Sequence, residues 1–135
     1  MAFSLTILGS NSAIPILNRN PSAHLLTVNE RLFLIDCAEG TQLQLRKFHI
    51  HIQRISRIFI THLHGDHYFG LIGLLNTFHL LGRKETLHLY GPPILKEIID
   101  LQLETSMTVL NYPLSFHLVT ADKYTLVHEG IMIAK

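Results

Sequence analysis

A layered α/β domain built on a mixed sheet is the fold class the sequence predicts. Short apolar runs of period two, longer segments with apolar residues three and four apart, and their alternation along 135 residues without a repeat or linker carry that expectation. Phe3 to Leu8 alternates apolar with small polar residues as a strand does, and Gly9-Ser10-Asn11-Ser12 ends it in turn chemistry. A loop then runs to Pro21. Ala23 to Val28 and Arg31 to Ile35 form a hairpin about Asn29-Glu30, so the first three strands are expected to be antiparallel. Thr41 to Phe48, rich in Gln, Leu, Arg and Lys, suits a short helix with Thr41 as its cap. Ile55 to Ile60 is a strand that runs into the polar loop Thr61 to His67. Next, Leu71, Leu74, Leu75, Phe78 and Leu81 make one apolar helix face, closed by Gly82. Thr86 to Tyr90 is a further strand, and Pro92 sits near the first turn of a helix expected to face Ile94, Leu95, Ile98, Ile99 and Leu101 inward. Leu114 to Val119, Tyr124 to Val127 and Ile131 to Ala134 are late strands. The last of these has the pattern of a strand just begun, which suggests an interruption.

Composition excludes several classes. With 47% hydrophobic and 16% charged residues the chain is too apolar for a disordered segment. A net charge of +1 gives no global basic field, so any nucleic-acid contact must come from a local patch. The single Cys37 cannot make an intrachain disulfide. Phe3 to Leu8 lacks the basic flank and length of a secretory leader. Tyr68 to Leu81, interrupted by Asn76 and His79, is shorter than the roughly 18 residues a membrane span needs. A reducing, cytoplasmic setting with no membrane partner is the expectation.

Ten histidines stand against no tryptophan, and His62, His64 and His67 fall in one loop. Thr61-His62-Leu63-His64-Gly65-Asp66-His67 follows a strand and precedes a helix, and its imidazoles and carboxylate suit zinc. Alternation at the strand exit lets His62 and His64 point one way while Leu63 turns into the core. Gly65 lets the chain bend, and Asp66 with His67 then arrives at the helix start, where a carboxylate is favoured. Two such clips fit a pair of metals roughly 3.5 to 4 Å apart. Surface histidines in a polar loop are the plain alternative, and the density of ligands in HxHxDH weighs against it.

At these residues the chain resembles the metallo-β-lactamase superfamily and, within it, is similar to the ribonuclease Z family of tRNA 3′-processing endonucleases. Leu8-Gly9-Ser10 with Pro15, Leu34 to Gln42 (LIDCAEGTQ), Ile58 to His67, Gly70 to Leu75 and Leu89-Tyr90-Gly91-Pro92 carry the likeness. The resemblance implies an αββα sandwich, of which this chain supplies the N-terminal half as one domain over residues 1–135. It implies two zinc ions, one on His62 and His64 and the other on Asp66 and His67, with Asp66 also taking a proton from the attacking water. The implied reaction is removal of the 3′ trailer from precursor tRNA by a homodimeric endoribonuclease. The family completes its metal site with a histidine, a bridging aspartate and a final histidine from later segments. His117 and His128 do not match that context, so the 135 residues by themselves are expected to be inactive.

The family's basic clamp after the loop proline is reduced here to Arg19, which either contacts a substrate phosphate or is solvated. Asp36 either orients a ligand histidine or caps local amides. Thr61 either supports the site or ends a strand. Cys37 reads as a small buried residue; His49 and His51 flank Ile50 in a turn region, His24, His79 and His88 are isolated, and all five read as satisfied core or surface histidines. A general phosphodiesterase or thioesterase using the same loop, and a non-catalytic dimerising module, are the rival functions.

Overall fold

The computed structural model describes residues 2–120, 125–127 and 131–133. Among them, six strands form one sheet in chain order: β1 (Phe3–Gly9), β2 (Ala23–Val28), β3 (Arg31–Ile35), β4 (Ile55–Phe59), β5 (Leu87–Gly91) and β6 (Leu114–Leu118). The first three strands are antiparallel, as a hairpin with left-handed Asn29 and Glu30 at its turn dictates. From β3 onward the pairing is parallel, because each later strand is reached through a helical crossover. A separate antiparallel pair joins β7 (Thr125–Val127) and β8 (Ile131–Ile133). Tyr124, His128 and Ala134 lie outside the described residues.

Four helices connect the strands: α1 (Thr41–Lys47), α2 (Gly65–Tyr68), α3 (Leu71–Leu80) and α4 (Leu95–Thr105), with a 3-10 turn at Ile52–Arg54 before β4. The main core forms between one sheet face and the helices. Leu25, Leu34, Ile58 and Leu89 of the sheet meet Leu45 of α1, Leu71, Leu74, Leu75 and Phe78 of α3, and Leu95 and Ile99 of α4. The opposite sheet face carries a second cluster of Val28, Phe33, Phe59 and Tyr90. There Phe59, Tyr90 and His117 stack across β4, β5 and β6, with centroids 4.6 Å and 4.4 Å apart, a cross-strand aromatic ladder.

Several expectations are corrected. The residue flanking α1 is Gly40, left-handed at φ 81, and the Thr41 hydroxyl donates to the Ala38 carbonyl at 2.7 Å instead of capping an amide. Its oxygen is turned back towards the preceding turn, away from the free amides of α1. Leu81 lies beyond the end of α3 and is 53% exposed; Ile94 and Leu101 are exposed too, leaving Leu95 and Ile99 as the buried residues of α4. An apolar residue at helical spacing is buried only where the sheet reaches it, and on α4 that face is narrower than the apolar spacing. His88 is not isolated: its Nδ1 lies 2.9 Å from His117 Nε2.

Candidate functional site

The site forms where β3 and β4, parallel neighbours, end side by side. Asp36 follows β3 with a left-handed backbone (φ 60), a conformation that Asp tolerates better than most residues. Its carboxylate, 3% exposed as a residue, gathers four donor groups. The Thr61 amide reaches it at 2.8 Å, the Thr61 hydroxyl at 2.9 and 3.0 Å, the Ser22 hydroxyl at 3.2 Å, and His67 Nδ1 at 2.6 Å. Backbone bonds lock the same region: Cys37 N–H donates to the His67 carbonyl and Gly70 N–H to the Cys37 carbonyl. Gly70 must be glycine, since a Cβ there would fall 2.1 Å from the Ala38 carbonyl oxygen.

Donor and acceptor roles follow from this network. The carboxylate only accepts, so His67 carries its proton on Nδ1 and leaves the Nε2 lone pair free. The Thr61 hydroxyl proton goes to Asp36, so its 3.0 Å contact with His62 Nδ1 requires the imidazole to donate. His62 is therefore also left with a free Nε2. One buried carboxylate thus sets the tautomer of two histidines, directly for His67 and through Thr61 for His62. This is the outer support that metal-binding imidazoles use.

His62, His64, Asp66 and His67 are brought together. The His62 ring lies 3.9 Å from that of His67 and 4.7 Å from that of His64, and His67 Nε2 is 3.6 Å from Asp66 Oδ2. Leu63 turns into the core as alternation requires. The motif is not all loop: Asp66 and His67 lie on the one-turn α2. Asp66 Oδ2 accepts the Ala13 amide at 3.1 Å, and that bond, with His67 nearby, holds the carboxyl below the usual range. Partial burial, followed by the neighbouring His67 and His64, lowers the His62 pKa, so this imidazole stays neutral to a lower pH. The donor types suit zinc. Among the described residues, no group of three or more His, Cys, Asp or Glu is placed to hold a metal ion.

Arg19 is exposed on the turn that joins Ile16 to Arg19 by paired backbone bonds, with no contact to the histidines among those of the described residues. Sequence reasoning missed Ser22 and Ala13, which hold Asp36 and Asp66. Ser22 has no local signature, and Ala13 acts through a backbone amide aimed by a left-handed φ of 56. No helix among the described residues is long and apolar enough to cross a membrane.

A family model described as anti-Pycsar protein Apyc1 matches residues 3–126. The ribonuclease Z of Porphyromonas gingivalis is 42% identical over 128 residues, covering 95% of this chain and 42% of that protein. Among solved structures, human tRNase Z, short form, superimposes with a TM-score of 0.80 at 44% identity, over 87% of this chain and 47% of that one. YhfI of Bacillus subtilis, a metallo-β-lactamase fold protein, gives a TM-score of 0.67 at 20% identity, over 92% and 49% of the two chains, and bears on the fold alone. The fold and the resemblance to ribonuclease Z drawn from the sequence are both borne out. The chain spans less than half the length of the curated relatives it matches.

Proposed function

The chain belongs to the family described as anti-Pycsar protein Apyc1, and from that premise, its fold and its likeness to ribonuclease Z, we propose that it is part of a zinc-dependent endoribonuclease that removes the 3′ trailer from precursor tRNA. The observation that carries this reading is the Asp36 network, which engages Nδ1 of both His62 and His67 and leaves their Nε2 lone pairs for a metal, with the two rings 3.9 Å apart. His62 and His64 would hold one zinc, and Asp66 and His67 the other. Bound there, the metals would lower the pKa of a water and neutralise charge on the phosphate. Asp66, kept ionised by the Ala13 amide, is the group in this chain that accepts a proton from water. Thr61, Asp36 and Ser22 hold the rings and move no proton to substrate. The remaining ligands belong to segments beyond these 135 residues, which by themselves do not cut RNA. The active enzyme is a cytoplasmic homodimer.

Zinc analysis of the purified chain beside His64→Ala tests the site. We expect one zinc or less per chain, weakly held and reduced by the substitution. Two tightly held metals that survive it would overturn the ligand assignment. A longer protein containing this segment tests the substrate, with faster cleavage of precursor tRNA than of bis-p-nitrophenyl phosphate expected. The reverse preference would favour a general phosphodiesterase.

A further inference from the structure

A cavity of about 340 Å³ lies between α4, strands β5 and β6, and the segment that joins α4 to β6. No residue of the histidine loop lines it. Its volume is within the roughly 300–1,000 Å³ of small-molecule sites. Leu89, Ile99 and Tyr112, which line it, are core residues 1%, 2% and 4% exposed, and Leu103, Leu114 and Phe116 continue the apolar lining from α4 and β6.

The polar groups decide what the cavity can accept. Four polar side chains line it, and each is already engaged. The Tyr112 hydroxyl donates to the Leu75 carbonyl at 2.8 Å, the Thr108 hydroxyl lies 2.9 Å from that of Ser106, and Lys96 donates to Asp100 one turn further along α4. Burial pushes the Tyr112 phenol up, so it stays protonated. Its ring is also fixed in place, meeting Phe78 edge-on at 6.2 Å with the Arg83 guanidinium 5.7 Å from its centroid.

The two charges on the wall cancel each other. A charged ligand would have to break that ion pair or enter apolar surroundings without a counter-charge. Water gains few hydrogen bonds from such walls, so its release favours an apolar guest. Tyr112 and Phe116 add two ring surfaces against which an aromatic guest can pack. We propose that this cavity binds an uncharged aromatic molecule of one or two rings, seated between α4 and β6 against Tyr112 and Phe116. The site goes beyond the function proposed above and does not rest on it.

Amide chemical shifts of the 15N-labelled chain in EDTA at pH 7, titrated separately with 1-naphthol, 1-naphthoate and 1-naphthylmethylammonium, test the assignment. Naphthol is expected to shift Leu103, Thr108 to Leu110, Tyr112 and Phe116, to leave His62 to His67 unmoved, and to bind about tenfold more tightly than either ion. Leu103→Trp, which fills the space, should abolish these shifts. Intermolecular NOEs from the naphthol ring to the Leu103 and Leu114 methyl groups are expected as well, and they need no variant. Shifts confined to other residues, missing NOEs, or a folded Leu103→Trp that binds like the parent overturn the site. Naphthoate binding as tightly as naphthol overturns the uncharged ligand in favour of an anion on Lys96, and the ammonium doing so overturns it in favour of a cation on Asp100. Line broadening at the same amides that grows with protein concentration and excludes naphthol overturns it in favour of a second copy of this chain.

Discussion

Replacing Asp36 by Ala would leave Thr61, Ser22 and His67 donors without their acceptor in a part-buried site. The expected cost is about 2–4 kcal/mol, read as a lower urea midpoint. Asp36→Asn discriminates more finely, because it keeps the shape and tolerates the left-handed backbone. With its oxygen facing Thr61, its NH2 group faces His67 Nδ1, which must then accept. We expect imidazole 15N shifts to report His67 protonated on Nε2 in this variant and on Nδ1 in the parent; identical spectra would refute the tautomer argument. Cys37 makes the opposite kind of case. Wholly buried, its thiol is pushed up to about 12, chiefly by desolvation. Thiol reagents at pH 8 should therefore modify it only on unfolding. His117 gives the pH dependence. Burial first, and Arg57 second, lower its pKa below the ordinary 6.5. The folded state thus prefers the neutral ring, and the unfolded chain takes up protons at higher pH. Its contribution is fully present above about 6.5 and declines as pH falls through that value towards the folded pKa. A His117 titration midpoint at or above 6.5 by NMR would contradict this.

At the scale of elements, α3 anchors the core and Gly70 fixes where it starts. Leu74, fully buried, should cost about 3 kcal/mol as Ala. Gly70→Ala should be worse than its size implies, since the added methyl meets the Ala38 backbone and not a movable side chain; a thermal midpoint within a degree or two of the parent would show that the approach is relieved at little cost. These elements also mark what the sequence makes legible. Short apolar runs located every strand of the main sheet, and the Leu and Phe spacing located α3 because it reports a face buried against the sheet, whereas the alternation of β1 marks apolar side chains that stay exposed. HxHxDH announced its own cluster. What stayed hidden depends on backbone angles and on contacts distant in sequence. Thr41 resembles a cap in composition, yet Gly40's left-handed turn aims its hydroxyl elsewhere. Ser22 and Ala13 become site residues only once the long loop folds back. The His88–His117 contact likewise exists only because β5 and β6 pair in parallel.

Taken whole, the molecule has a well-filled helix side and a sparsely covered opposite sheet face. Phe3, Leu5 and Ile7 share that face on β1 and are 65%, 53% and 55% exposed. A contiguous apolar row of this kind should bind a hydrophobic dye such as ANS in the native state. A Phe3→Ser, Leu5→Ser, Ile7→Thr triple variant should lose that binding while its thermal midpoint moves little; unchanged dye binding would place the apolar surface elsewhere. Strand β3 divides this architecture, pairing with β2 through a two-residue turn and with β4 only after a helix and a 3-10 turn have been traversed. During synthesis on the ribosome, the first three strands can close before β4 has emerged. The carboxylate of Asp36 then stands at the end of β3 before the imidazole it will orient emerges, so the order of emergence and the order of assembly of the site coincide.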